Sequence, residues 1–104
     1  RLSNVSAVIT IAANLDTDAW TKAHSYEPLS GSLNPAMLDP IHQGIRQVHL
    51  HGALDTNVPR ETTKAYFDNN RYAKHIEYPE FTHVCCWESI WRDVLPKLID
   101  DTIY

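Results

Sequence analysis

The feature that most limits what this chain can fold into is the run Val5-Ser6-Ala7-Val8-Ile9-Thr10-Ile11-Ala12-Ala13, almost continuously apolar and rich in β-branched side chains. Branching at Cβ suits a pleated strand, and a strand apolar on both faces belongs in a parallel sheet covered from both sides. Parallel strands need crossover connections, so helices alternating with further strands are expected downstream. Arg46 to His51 sets Val48 and Leu50 against Gln47, His49 and His51, and reads as a second strand with two unlike faces that ends at Gly52. His75-Ile76-Glu77-Tyr78, stopped by Pro79, reads as a third.

Between the strands, Asn34-Pro35 supplies an N-cap and a proline at the first helical position, for a short helix running toward Gln43 with Gly44 as its stop. Pro59 opens another helix, with Glu61 in its positive first turn, Thr62, Ala65 and Tyr66 inward, and an end near Asn69-Asn70. Val84, Trp87, Ile90, Trp91, Val94, Leu95 and Leu98 recur at steps of three and four, which predicts a long C-terminal helix over 84–99 with Trp87 and Trp91 in the core. From Asn14 to Asn34 the periodicity dissolves into polar, aromatic and turn residues, and this segment, 14–34, is expected to be a long loop or lid-like connection. The whole reads as α/β: a three-stranded parallel sheet with crossover helices in one unit, since 104 residues suffice for a single modest core.

Composition removes several classes. The net charge is −4 and the nine Lys and Arg are scattered, so no basic stripe for nucleic acid exists. The longest apolar run falls well short of the roughly 20 residues that span a bilayer, so no membrane helix is expected. The only cysteines are the neighbours Cys85 and Cys86, which are poorly placed for an ordinary disulfide with each other and are expected to pack as small buried side chains. Arg1 is neither an initiator methionine nor the start of a signal peptide, and the chain is expected to be a fragment of something longer.

In an open parallel sheet, ligands bind beyond the carboxyl ends of the strands, here in loops that begin near Asn14, Gly52 and Pro79. Two of these loops carry acid-base residues: Asp55 in His51-Gly52-Ala53-Leu54-Asp55-Thr56-Asn57-Val58-Pro59, and His83 in Pro79-Glu80-Phe81-Thr82-His83. A carboxylate after one strand and an imidazole after the next can meet above the sheet, the carboxylate selecting the tautomer and stabilising the imidazolium when the histidine takes a proton.

These two segments resemble the α/β-hydrolase family. The pattern His51-Gly52-x-x-Asp55-x-x-Val58-Pro59 is similar to the family's loop after its seventh strand, where the glycine permits a sharp turn and the aspartate is the triad acid. Phe81-Thr82-His83 before a long helix is similar to the loop that holds the catalytic histidine, and the order Ser, acid, His is respected. The resemblance implies an esterase-like serine hydrolase acting on a small-molecule substrate without a cofactor. It covers only the family's C-terminal portion: the glycines stand at 31, 44 and 52, so no Gly-x-Ser-x-Gly nucleophile elbow is present. Asp55 and His83 are thus the catalytic candidates, the serine and its oxyanion-hole amides are expected to precede Arg1, and the 104-residue chain alone is expected to be inactive.

Trp20, His24 and Tyr26, in the long connection where the family places lids, are candidate substrate contacts, with an ordinary packed loop as the alternative. His49 and His51 form a His-x-His pair, with His24 and His42 elsewhere, but no carboxylate or cysteine stands at a companion spacing, so no metal is expected. The alternative to the hydrolase is a binding or interaction module that kept the sheet and lost the chemistry. In the resembled fold the strand 5–13 would lie exposed at an edge, and its expected partner is the missing N-terminal segment or a second copy of this chain.

Overall fold

In the computed structural model, residues 7–29, 31–94 and 96 are described. They form an α/β arrangement with β1 (Ala7–Ile11), α1 (Thr17–Ala23), a 3-10 turn (Pro35–Met37), β2 (Arg46–Gly52), a second 3-10 turn (Arg60–Thr63) leading into α2 (Lys64–Asn69), β3 (Lys74–Tyr78), and α3 (Trp87–Ser89), which continues as a π-helical stretch over Ile90–Val94. The strands are all parallel in the order β1-β2-β3, with Ile9 opposite Val48, Ile11 opposite Leu50 and Leu50 opposite Ile76.

The central strand β2 explains the rest of the layout. Its side chains alternate, and both sets are buried. On one face Val48 and Leu50 pack with Ile9, Ile11, Ile76, Tyr78 and Phe81 beneath Trp87 and Ile90 of the C-terminal helix. On the other, Gln47, His49 and His51 lie beneath α2, whose Tyr66 and Phe67 rings meet His49 edge-on, while Phe67 stacks on His75 at 4.4 Å. Covering polar side chains is tolerable only when they are hydrogen-bonded, and these are. Thr10 Oγ1 lies 2.7 Å from His49 Nδ1, and His49 Nε2 lies 2.9 Å from Gln47 Oε1, which also accepts from the Tyr66 hydroxyl at 2.6 Å. An amide oxygen can only accept, so His49 carries its proton on Nε2 and the Thr10 hydroxyl donates to Nδ1.

β1 is half-buried along its length instead of covered on both faces, because among the described residues it pairs on one side only. It ends where Ala12 adopts a left-handed φ of 54°. The connection 14–34 is not simply a loop. It contains α1, capped by Asp16, whose Oδ1 accepts from the Ala19 amide at 3.1 Å. Asn34 then closes the segment on its own beginning: its side-chain amide donates to Asp16 Oδ1 at 2.9 Å, and its Oδ1 accepts from the amides of Thr17 and Ala36. One aspartate and one asparagine thereby cap two helical turns and tie the ends of the connection together.

Other expectations need correction. The helix from Pro35 stops at Met37 instead of reaching toward Gln43, since Leu38 turns extended and Pro40 disfavours helix in the residue before it. In the helix after Pro59, Ala65 faces outward and Thr62, Thr63 and Tyr66 are the inward residues, their hydroxyls satisfied by the Pro59 carbonyl, the Arg60 carbonyl and Gln47 Oε1. The C-terminal helix begins at Trp87, not Val84, which is 85% exposed in the preceding loop. Trp87 and Ile90 face the core but Trp91 is 65% exposed; Trp87 alone of the two tryptophans is tied inward, by its indole bonds to the Thr82 and His83 carbonyls. The expected continuation to 99 lies largely outside the described residues. Cys85 and Cys86 are exposed instead of buried, and their sulfurs are joined to each other; they stand in the turn before α3, not on its inner face.

Candidate functional site

Parallel strands deliver the loops after β2 and β3 to the same edge of the sheet, and the structure brings Asp55 and His83 together there. His83 Nδ1 lies 2.9 Å from Asp55 Oδ2. A carboxylate oxygen accepts, so the imidazole donates from Nδ1, and Nε2 takes no part in that bond. The Asp55 side chain is completely buried, whereas 36% of the His83 side chain is exposed. This is the geometry of an imidazole oriented from below and open from above.

The burial of a carboxylate requires donors on its other oxygen. The chain after Asp55 supplies them by folding back on the side chain, so that Oδ1 accepts from the amides of Asn57 at 2.8 Å and Val58 at 2.7 Å. The turn itself is closed by the Asp55 amide donating to the Gly52 carbonyl. Gly52 was expected to permit a sharp turn, yet it has no positive φ. Its lack of a side chain answers a different need: a Cβ there would stand 2.2 Å from the Phe81 carbonyl oxygen. At this point the acid loop and the histidine loop cross, with the Leu54 amide donating to Phe81 O at 3.0 Å and the Ala53 amide to Tyr78 O at 2.9 Å. Gly52 is therefore what allows the two loops to touch.

The histidine loop is held from the opposite side by Trp87. Its indole N–H donates to the carbonyls of Thr82 at 3.0 Å and His83 at 3.2 Å while its rings fill the core beside Phe81 and Tyr78. The periodicity of the sequence showed only the packing half of that role. An open depression of about 390 Å³ is bordered by Ala53, Asp55, Thr56, Pro59, Glu61 and Glu77 and does not include His83.

Trp20 and His24 stand on and just after α1, and Tyr26 follows. All three gather at the acid loop: Trp20 Nε1 donates to the Asn57 carbonyl at 2.8 Å, His24 Nε2 reaches the same oxygen at 2.6 Å, and Tyr26 stacks on His24 with ring centres 5.3 Å apart. The remaining histidines are engaged separately. His51 places Nε2 3.1 Å from the Ala13 carbonyl and Nδ1 3.0 Å from His75 Nε2, and His42 Nδ1 accepts from the Gly44 amide. Burial lowers the pKa of His49 to about 4, reinforced by His51 and His75. It also lowers those of His51 and His75, in His51 against the opposing pull of the Ala13 carbonyl, Asp55 and Glu77. Among the described residues no three His, Cys, Asp or Glu side chains are grouped to hold a metal ion, and no helix is long and apolar enough to cross a membrane.

A scan against protein-family models found none that matches this chain, and searches of curated proteins and of solved structures found no significant match.

Proposed function

We propose that this chain carries the acid and the general base of an esterase-like serine hydrolase of α/β-hydrolase type, with the nucleophile supplied from outside this sequence. The observation that carries the reading is the bond from the His83 ring to a fully buried Asp55 carboxylate at the carboxyl ends of neighbouring parallel strands. His83 Nε2 accepts the proton of the serine hydroxyl as its oxygen attacks the acyl carbon, and the resulting imidazolium returns that proton to the leaving group. Asp55 keeps the ring in the Nδ1–H tautomer and stabilises the imidazolium. The substrate is a small acyl compound reached from the exposed side of the ring.

The test is hydrolysis of 4-nitrophenyl acetate. The 104-residue chain should show no turnover above a denatured control. In a protein that carries this segment together with the serine, His83→Ala should lower kcat about a thousandfold or more. An unchanged rate for that variant removes His83 from the mechanism, and phosphonate-sensitive turnover by the chain alone would place the nucleophile within it.

A further inference from the structure

We propose that Trp20 and His24 are positioning residues that orient Asp55 through a single peptide group, an inference that rests on the reading of Asp55 and His83 as an acid-base pair. The peptide linking Asn57 to Val58 has both of its polar ends engaged. Its N–H donates to Asp55 Oδ1 at 2.7 Å, and its C=O receives Trp20 Nε1 at 2.8 Å and His24 Nε2 at 2.6 Å. A trans peptide is planar with N–H and C=O pointing in opposite directions, so fixing the oxygen fixes the direction of the hydrogen. Two donors on the oxygen also polarise the unit and strengthen its N–H as a donor to the carboxylate.

Neither donor arrives by accident of a mobile side chain. Trp20 lies within α1, whose start is tied down by Asp16 and Asn34, and the His24 ring is braced between Trp20 at 4.9 Å and Tyr26 at 5.3 Å. A carbonyl cannot donate, so His24 must carry a proton on Nε2, and the indole N–H has no other mode than donation. Trp20 Nε1 additionally lies 3.2 Å from Asn57 Oδ1, which holds the same residue a second way. The indole N–H and His24 Nε2 are thus both directed at the acid loop. The line of force runs from α1 to the 57–58 peptide, to Asp55 Oδ1, and through Oδ2 to His83 Nδ1.

The experiment uses the isotope-labelled chain and two NMR readouts, hydrogen exchange at the Val58 amide and the His83 Nδ1–H resonance. Removing both donors with Trp20→Phe/His24→Leu should speed Val58 exchange about tenfold, the effect of losing a hydrogen bond or more at a locally opening turn, and should broaden the His83 signal. Exchange at the Leu50 amide in the sheet should not change. Trp20→Phe alone, which keeps the ring, should give a smaller effect of the same kind, and His24→Gln, whose amide can still donate, should restore most of the protection lost in His24→Leu. Unchanged Val58 exchange and an unchanged His83 signal in Trp20→Phe and in the double variant would overturn the proposal. Asp55→Asn is the separate arm. If it abolishes the His83 Nδ1–H signal while the α1 variants leave it intact, the acid-histidine pair stands and the positioning role falls; if the signal survives Asp55→Asn, both fall.

Discussion

Acidification should destabilise this protein between pH 6.5 and about 4, and His49 should account for much of the loss. In the folded state its ring is 1% exposed, satisfied as a neutral tautomer by the Thr10 hydroxyl and by Gln47 Oε1, and held at a pKa of about 4 by burial and by His51 and His75. In the unfolded chain it titrates near 6.5. As pH falls through that interval, the unfolded state binds a proton that the folded state refuses, so stability is full above 6.5, declines as pH falls, and has lost its whole contribution once pH drops through the folded value. At about 1.4 kcal/mol per pH unit, the 2.5-unit interval corresponds to at most about 3.5 kcal/mol. His51 and His75 are shifted the same way and add to the slope. The assay is urea unfolding at pH 7.5 and at pH 4, comparing the wild-type chain with His49→Gln, which keeps a polar group but cannot titrate there. The substitution disturbs two hydrogen bonds, so the variant should be the less stable at pH 7.5. The difference should shrink or reverse at pH 4. Parallel stability losses in both proteins would refute the argument, since the acid sensitivity would then arise elsewhere.

Two further substitutions probe the framework. Gly52→Ala should cost about 3 kcal/mol or more, read as a lowered midpoint in urea, because the new Cβ would meet a backbone carbonyl that cannot rotate away; a cost below about 1 kcal/mol would show that the loop crossing is not tight. Leu50→Ala, at a side chain with no exposed surface in the middle of the central strand, should cost about 2 to 5 kcal/mol by the same assay, and a near-neutral effect would mean that the sheet is not the core.

Much of the architecture was legible in one dimension because short-range rules decide it. The β-branched run before Ala13, the alternation from Arg46 to His51 and the stretch stopped by Pro79 mark three strands, and their order with intervening helices implies parallel pairing. Asp55 and His83 were legible as a pair because parallel strands must bring successive C-terminal loops to one edge. The helix α1 was missed because its sequence carries no apolar stripe, with only Thr21 buried, and it is held by its caps. The available signal was Asp16 as N-cap, Asp18 in the first turn and Lys22 in the last.

Neighbours a few residues apart decide where the strands lie, which of their faces are apolar, and that Asp55 and His83 stand in loops that follow strands. Tertiary structure alone decided that the polar face of β2 is buried too, because Gln47, His49 and His51 find their partners on Thr10, Tyr66, Ala13 and His75, far away in the chain. It decided that Gly52 serves a close approach and not a turn, since Phe81 comes from another loop. It also separated Trp87 from Trp91, which periodicity treats alike, and gave Trp20 and His24 a common target in Asn57. Hydrogen-bond direction and packing depend on what arrives from elsewhere in space, and no local pattern encodes that.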